Sequence, residues 1–274
     1  MSSFGQQWSI PAQRLRLLPN EVHVWKASLR LALPVIQQLQ QSLSLEEVIK
    51  ARKFFFEKDR NSFIVARGLL RKILSSYLDI YPDQVRFRYN SHGKPALDLP
   101  SHGPTSMVNF NLSHSHELVL YAFTCAREIG IDVEYMRSDI EYEQLAQHSF
   151  SPNENVAFHA LPKAVKLEGF YNCWTRKEAY IKARGQGLSL SLDLFDVTLR
   201  PGEPAALVNS REDPQEPGRW LFHAISPDPG YAGAVAVEGH NWMLRYFCDP
   251  TGQDIPSMLF PFKARRDISH YTLY

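Results

Sequence analysis

An α+β protein built as two similar halves is what this 274-residue sequence predicts. Three observations lead there. Short apolar runs of strand period are interleaved with longer runs of helical period. Phe63-Ile64-Val65-Ala66-Arg67-Gly68 matches Tyr180-Ile181-Lys182-Ala183-Arg184-Gly185, and Val108 to Ser113 echoes Leu221 to Ser226. The two matches recur at offsets of 117 and 113 residues, which implies two copies of one α+β unit rather than a solenoid of many short repeats. The expected halves are 1–128 and 129–274, with a site in the cleft between them.

In the first half, Val22-His23-Val24-Trp25 alternates as a strand, and Ser44-Leu45-Glu46-Glu47 carries a capping box that opens a helix to about Phe55. A longer helix is expected from about Asp59 to Tyr77. Val85 to Tyr89 has strand period, Asn90 to Gly93 is a turn, and Met107 to Leu112 and Leu118 to Cys125 read as strands. The second half opens with a strand over Gly130 to Tyr135. Helices follow near Glu141 to His148, Pro152 to Ala160 and Ala164 to Ala183, then strands near Leu194 to Leu199, Trp220 to Ser226, Tyr231 to Val237 and Trp242 to Cys248. Pro201 to Gly218, rich in Pro, Gly and Glu, reads as a surface loop, and the tail after Asp249 is expected to lie over the surface.

An apolar share of 44% is enough to fill real cores, and thirty basic against twenty-nine acidic residues leave a formal charge of +1. Nothing global points to nucleic acid, so any anion site must be local. Cys125, Cys173 and Cys248 are widely spaced and form no CxxC pair, which suits free thiols in a reducing compartment. Met1 to Pro11 lacks a basic start followed by an apolar run, and no stretch approaches eighteen consecutive apolar residues. The expectation is a cytoplasmic protein with no membrane association.

Chemistry concentrates on two elements. On a strand, Gly130-Ile131-Asp132-Val133-Glu134 sets both acids on one face and both branched residues on the other. On a helix, Trp174, Glu178 and Lys182 follow at intervals of four and share a stripe. Where Glu178 faces the strand, a hard cation gains a third oxygen ligand, and oxygen-only ligation suits Mg²⁺ better than zinc. A lysine one turn beyond offsets phosphate charge, so the set reads as phosphoryl chemistry on a diphosphate. In the repeat, Asn61 falls on Glu178 and Val65 on Lys182, so only the second half keeps the acid and base.

Four motifs in one order then resemble a known family. Gly93-Lys94-Pro95, Phe110-Asn111-Leu112-Ser113-His114-Ser115, Gly130 to Glu134, and Trp174 to Lys182 followed by Gly185-Gln186-Gly187-Leu188-Ser189-Leu190 are similar to the 4′-phosphopantetheinyl transferases of the larger, Sfp-like type. The resemblance implies that fold, with two α+β halves related by pseudo-twofold symmetry, in a chain expected to be a monomer. It also implies transfer of the phosphopantetheinyl arm of coenzyme A to a serine of an apo acyl or peptidyl carrier protein, releasing 3′,5′-adenosine diphosphate.

Carried over residue by residue, Asp132, Glu134 and Glu178 resemble the Mg²⁺ ligands. Glu178 and Lys182 resemble the catalytic pair, with Glu134 or a metal-bound water as other candidates for the base. Ser113 and His114 resemble the segment on coenzyme A phosphate, and Lys94, Pro95, Lys177 and Lys182 belong to the coenzyme grip. Lys58 or Arg60 stands where family members hold the coenzyme from the first half. His148 to Pro152 resembles the carrier-docking region, where Phe150, Val156, Phe158 and Leu161 fit either a docking face or core. Two other readings of the acid cluster are a Mg²⁺-dependent phosphodiesterase and a carrier-binding module without catalysis.

Overall fold

The computed structural model describes residues 6–11, 15–98 and 107–251. Residues 252–274, most of the tail for which a surface path is expected, lie outside them. The chain forms β1 (Glu21–Ser28), α1 (Leu33–Gln40), α2 (Leu45–Arg52), α3 (Glu57–Leu78), β2 (Phe87–Tyr89), β3 (Pro95–Leu97), β4 (Val108–Ser115), β5 (Leu118–Cys125) and β6 (Ile129–Tyr135). It continues with α4 (Tyr142–Ser149), α5 (Pro152–His159), α6 (Lys163–Arg184), β7 (Phe195–Val197), β8 (Leu207–Ser210), α7 (Glu216–Arg219), β9 (Trp220–Ile225), β10 (Tyr231–Glu238) and β11 (Met243–Cys248).

Two sheets carry the fold, ordered β11-β1-β5-β4 and β6-β10-β9. The run β1-α3-β4-β5 is repeated by β6-α6-β9-β10, and the strand order β1-β5-β4 in one sheet matches β6-β10-β9 in the other. This is the pseudo-twofold relation between the halves. Alternation along the strands gives each sheet two buried faces. Trp25, Val119, Tyr121 and Phe123 turn toward α3, whose Ile64, Leu69, Leu70 and Leu74 complete a first core. Ala232, Ala234, Ala236 and Phe222 turn toward α6 and its Ala179, Tyr180 and Ala183. The opposite faces, Val22, Val24, Leu120 and Ala122 against Ile129, Ile131, Val133, Val235 and Val237, form a third core that belongs to both halves.

Several expectations change here. The boundary at 128/129 is crossed by β11, which leaves the second half and pairs in parallel with β1, from Glu21 opposite Met243 to Lys26 opposite Cys248. The echo of 108–113 in 221–226 is structural, since β4 and β9 are both outer strands that turn back into antiparallel partners. The echo of 63–68 in 180–185 is not. Both long helices have 22 residues and begin at Glu57 and Lys163, 106 positions apart, so Gly68 lies inside α3 whereas Gly185 ends α6 at φ 66°. Residues 201–218 contain β8 and α7 instead of a continuous loop, because Leu207 and Ser210 are buried against β7 and Glu216 accepts from the Trp220 indole at 2.8 Å. Helix α1 and strand β3, of 8 and 3 residues, are too short for their patterns to stand out in the sequence.

One buried charge pair holds the second half. Lys177 Nζ lies 2.7 Å from Glu154 Oε2 and donates to the carbonyls of Leu192 and Phe195, while Glu154 also accepts from the amides of Ser151 and Val197. Removing one partner of a buried pair strands the other charge, at a cost of about 3–5 kcal/mol. Glu154→Ala is therefore expected to lower stability by about that amount, read from the midpoint of urea unfolding; a shift below about 1 kcal/mol, the worth of an exposed pair, would contradict it.

Candidate active site

Close packing of α6 on β6 positions the acidic residues. A Cβ placed on Gly130 would lie 2.0 Å from the Ala179 carbonyl oxygen and 2.3 Å from the Ala183 amide nitrogen, so only glycine permits this approach. Because Ile131 and Val133 turn to the core between the sheets, Asp132 and Glu134 share Gly130's face of the strand, toward α6. From that helix Glu178 and Lys182, one turn apart, border the same depression. The two motifs do converge.

Strand β4 supplies a third side. Asn111 Oδ1 accepts from the Ile131 amide at 3.0 Å, and Ser115 Oγ accepts from the Tyr135 amide at 3.1 Å while donating to Glu134 Oε2 at 2.7 Å. Ser113 Oγ donates to Asp132 Oδ1 at 2.8 Å. Alternate side chains of β4 thus stand in for a backbone ladder along the free edge of β6. Ser113 and Lys182 lie among the expected site residues, but Asn111 and Ser115 do not, although their spacing of two already puts them on Ser113's face.

Asp132 is 2% exposed. Lys182 Nζ lies 2.6 Å from its Oδ1 and 3.0 Å from Ser113 Oγ. Asp132 Oδ2 is buried with no hydrogen-bond partner. Burial raises the pKa of Glu134 above the usual carboxylate value, and the Asp132 charge adds to it against the pull of Ser115 and Lys182. Glu178 is raised by burial and by the charges of Asp132 and Glu134, with Lys182 opposing. Three carboxylates against one ammonium leave the site short of positive charge.

An orphaned buried oxygen and an all-oxygen donor set fit a hard divalent cation. Among the described residues, no group of three or more His, Cys, Asp or Glu is already assembled around a metal position. Mg²⁺ suits such a site, since it binds through one or two carboxylates together with substrate phosphates rather than in a full protein cage.

Adjoining depressions run along the junction of the halves. One of about 290 Å³ is bordered by Gly93, Lys94, Pro95, Leu112, Glu178 and Lys182. It shares Leu112 and Lys182 with another of about 400 Å³, bordered by Lys50, Phe54, Phe63, Arg67, Ser113 and His114. That one shares Lys50, Phe63 and Arg67 with a third of about 590 Å³, which adds Arg71, Arg86, Phe87 and Tyr89. His114 opens to solvent at the wall, and the protein crowding its ring, together with the Lys182 charge, holds its imidazole below the usual pKa.

Other expected site residues are placed differently. Lys177 is fully buried in its pair with Glu154 and faces away from the cleft, so it belongs to the core and not to a coenzyme grip. Lys94 borders the groove with its amine tied to Glu128 and to the Ala183 carbonyl, both at 2.7 Å, where it helps cap α6. Lys58 is exposed and Arg60 half-buried in the first turn of α3, while Lys50, Arg67, Arg71 and Arg86 join Lys94 as first-half bases that line the groove. Phe150 and Phe158 are core residues, Leu161 packs against that core, and Val156 alone of the four is open to solvent.

Residues 25–126 match the family model for the N-terminal part of 4′-phosphopantetheinyl transferase, and residues 128–236 match the 4′-phosphopantetheinyl transferase superfamily. The 4′-phosphopantetheinyl transferase HetI of Nostoc sp. is 38% identical over 88% of this chain and 97% of its own length. This chain belongs to the 4′-phosphopantetheinyl transferase superfamily. Sfp of Bacillus subtilis is 32% identical over 73% of this chain and 84% of its own length. The human L-aminoadipate-semialdehyde dehydrogenase-phosphopantetheinyl transferase is 27% identical over 90% and 82%. The protein is thus a transferase, of the class its motifs resemble.

Two measurements check the electrostatics of this transferase. Glu178 holds its proton more tightly when folded, so its share of stability is complete below its ordinary value of 4.5 and is lost as pH rises through the raised value. Glu178→Gln is expected to melt higher than wild type at pH 8 and to lose that advantage near pH 4; equal melting at both pH values would refute the strain. Ser115→Ala removes the hydrogen bond that lowers Glu134, so the Glu134 carboxyl is expected to titrate at higher pH by ¹³C NMR. A downward move would contradict the assigned contact.

Proposed function

We propose that this transferase moves the 4′-phosphopantetheine arm of coenzyme A onto a serine hydroxyl of an apo acyl or peptidyl carrier protein, with Mg²⁺ held by Asp132, Glu134 and Glu178, releasing 3′,5′-adenosine diphosphate. The observation that carries the reading is the buried Asp132, with one oxygen orphaned, beside two further acids at one end of a groove whose first-half wall carries Lys50, Arg67, Arg71 and Arg86 against Glu46 and Glu47. The names of the relatives supply the transferred group.

Lys50, Arg67 and Arg86 on the first-half wall and Lys182 at the acid cluster favour an anionic ligand lying along the groove. A neutral His114 offers one donor and one acceptor to it. When bound, Mg²⁺ draws charge from the diphosphate and makes its phosphorus a better electrophile. The serine oxygen attacks the β-phosphorus, the bond from that phosphorus to the bridging oxygen breaks, and the electron pair leaves on the α-phosphate. Glu178, on the cleft side of α6, takes the serine proton at a carboxylate oxygen. Lys182 donates to the phosphate oxygens and stabilises the charge that develops on the leaving group. The chain acts as a monomer, since its two halves already supply both walls, and its free thiols suit a cytoplasmic setting.

Incubating an apo acyl carrier protein with the transferase, coenzyme A and Mg²⁺ is expected to add the mass of one phosphopantetheinyl group, and EDTA to prevent it. Asp132→Asn and Glu178→Gln are each expected to slow transfer by about 100-fold or more, and Lys182→Ala by a similar factor. Full activity in either acid variant would overturn the site, and no mass gain on acyl and peptidyl carriers alike would overturn the function.

A further inference from the structure

Lys182 is placed where a cation is expected. Its ammonium lies 2.6 Å from Asp132 Oδ1 and 3.0 Å from Ser113 Oγ, against a carboxylate whose side chain is 3% exposed. A buried carboxylate is tolerated only with a compensating charge, and this is the one ion pair that Asp132 makes among the described residues. The lysine itself is not packed in. Its side chain is 29% exposed and borders two adjoining depressions. A flexible four-carbon stem can therefore swing the charge without displacing packed atoms.

We propose that Lys182 is a stand-in cation. Without ligands its ammonium occupies Asp132, and it yields that carboxylate to a divalent cation when a diphosphate offers it another anion, so that metal and diphosphate bind as a coupled pair. The inference rests on the transferase reading of the site and adds to it a coupling that the acid cluster alone does not impose. Two features carry it. Asp132 Oδ1 is shared by Lys182 and Ser113, so a metal approaching this carboxylate meets a like charge at hydrogen-bond distance. The carboxylates are also not assembled around a metal position while the lysine is in place. Linkage makes the coupling reciprocal: whatever factor the diphosphate adds to metal affinity, the metal adds to diphosphate affinity.

The test is direct Mn²⁺ binding to the whole chain, followed through the free-ion electron paramagnetic resonance signal, with and without coenzyme A and with no carrier present. Wild type alone is expected to bind weakly. Lys182→Met and Lys182→Gln, each checked for native circular dichroism, are expected to bind Mn²⁺ about tenfold more tightly than wild type when coenzyme A is absent. Saturating coenzyme A is expected to tighten Mn²⁺ more in wild type than in either variant, and Asp132→Asn added to Lys182→Met is expected to abolish the gain. Unchanged or weaker Mn²⁺ binding in both lysine variants without coenzyme A would overturn the stand-in role, as would a gain that survives Asp132→Asn. Transfer is read separately by carrier mass. Failure of the metal titration therefore leaves the transferase reading standing, and failure of the mass gain does not mimic it.

Discussion

The distance between α6 and β6 is the constraint on which the site depends. With glycine at 130 the backbone of the helix reaches the strand around Ala179 and Ala183, and the residues flanking those alanines are carried into range of Asp132 and Glu134. Any side chain at 130 would push the helix away and separate the acids from Glu178 and Lys182. The same closeness explains why β10 faces the helix with Ala232, Ala234 and Ala236 rather than with larger residues. Small residues on both sides bring two elements with unrelated sequences to one point.

Neighbouring residues on α6 take opposite fates as a result. Lys177 and Glu178 differ by about 100° around the helix axis, enough to send one into the core and the other into the cleft. Lys177 is matched there by Glu154 and two carbonyls, a fully satisfied arrangement. Glu178 shares its surroundings with two more carboxylates and a single ammonium, an unsatisfied one. The protein thus carries a well-paired buried charge and, beside it, a poorly paired carboxylate cluster, the kind of electrostatic grouping that marks a candidate functional site.

Much of this was legible in the sequence because it depends on period alone. Strand alternation set Asp132 and Glu134 on one face, helical spacing joined Glu178 to Lys182, and the capping box at Ser44 marks the start of α2 as observed. The echo between β4 and β9 reported a genuine duplication. The stronger-looking match, six residues around Arg67 and Arg184, proved to lie out of register, since identity over so few positions does not track helix ends. Lys177 was misplaced because a motif names residue types without saying which way each turns. Asn111 and Ser115 were missed because their task, covering the edge of β6, exists only once the two sheets meet.

By itself, then, the sequence determined the longer elements, the duplication and the family, along with which acids and bases share a face. Those properties follow from local periodicity and from short motifs, which need no knowledge of what packs against what. The tertiary structure decided that β11 crosses back to the first sheet, that Lys50, Arg67 and Arg86 line the groove while Lys177 leaves it, and that Lys182 rests on Asp132. Each of these is a contact between residues distant in the chain, settled by competition for the same space and the same charge, and no local pattern encodes the outcome of that competition.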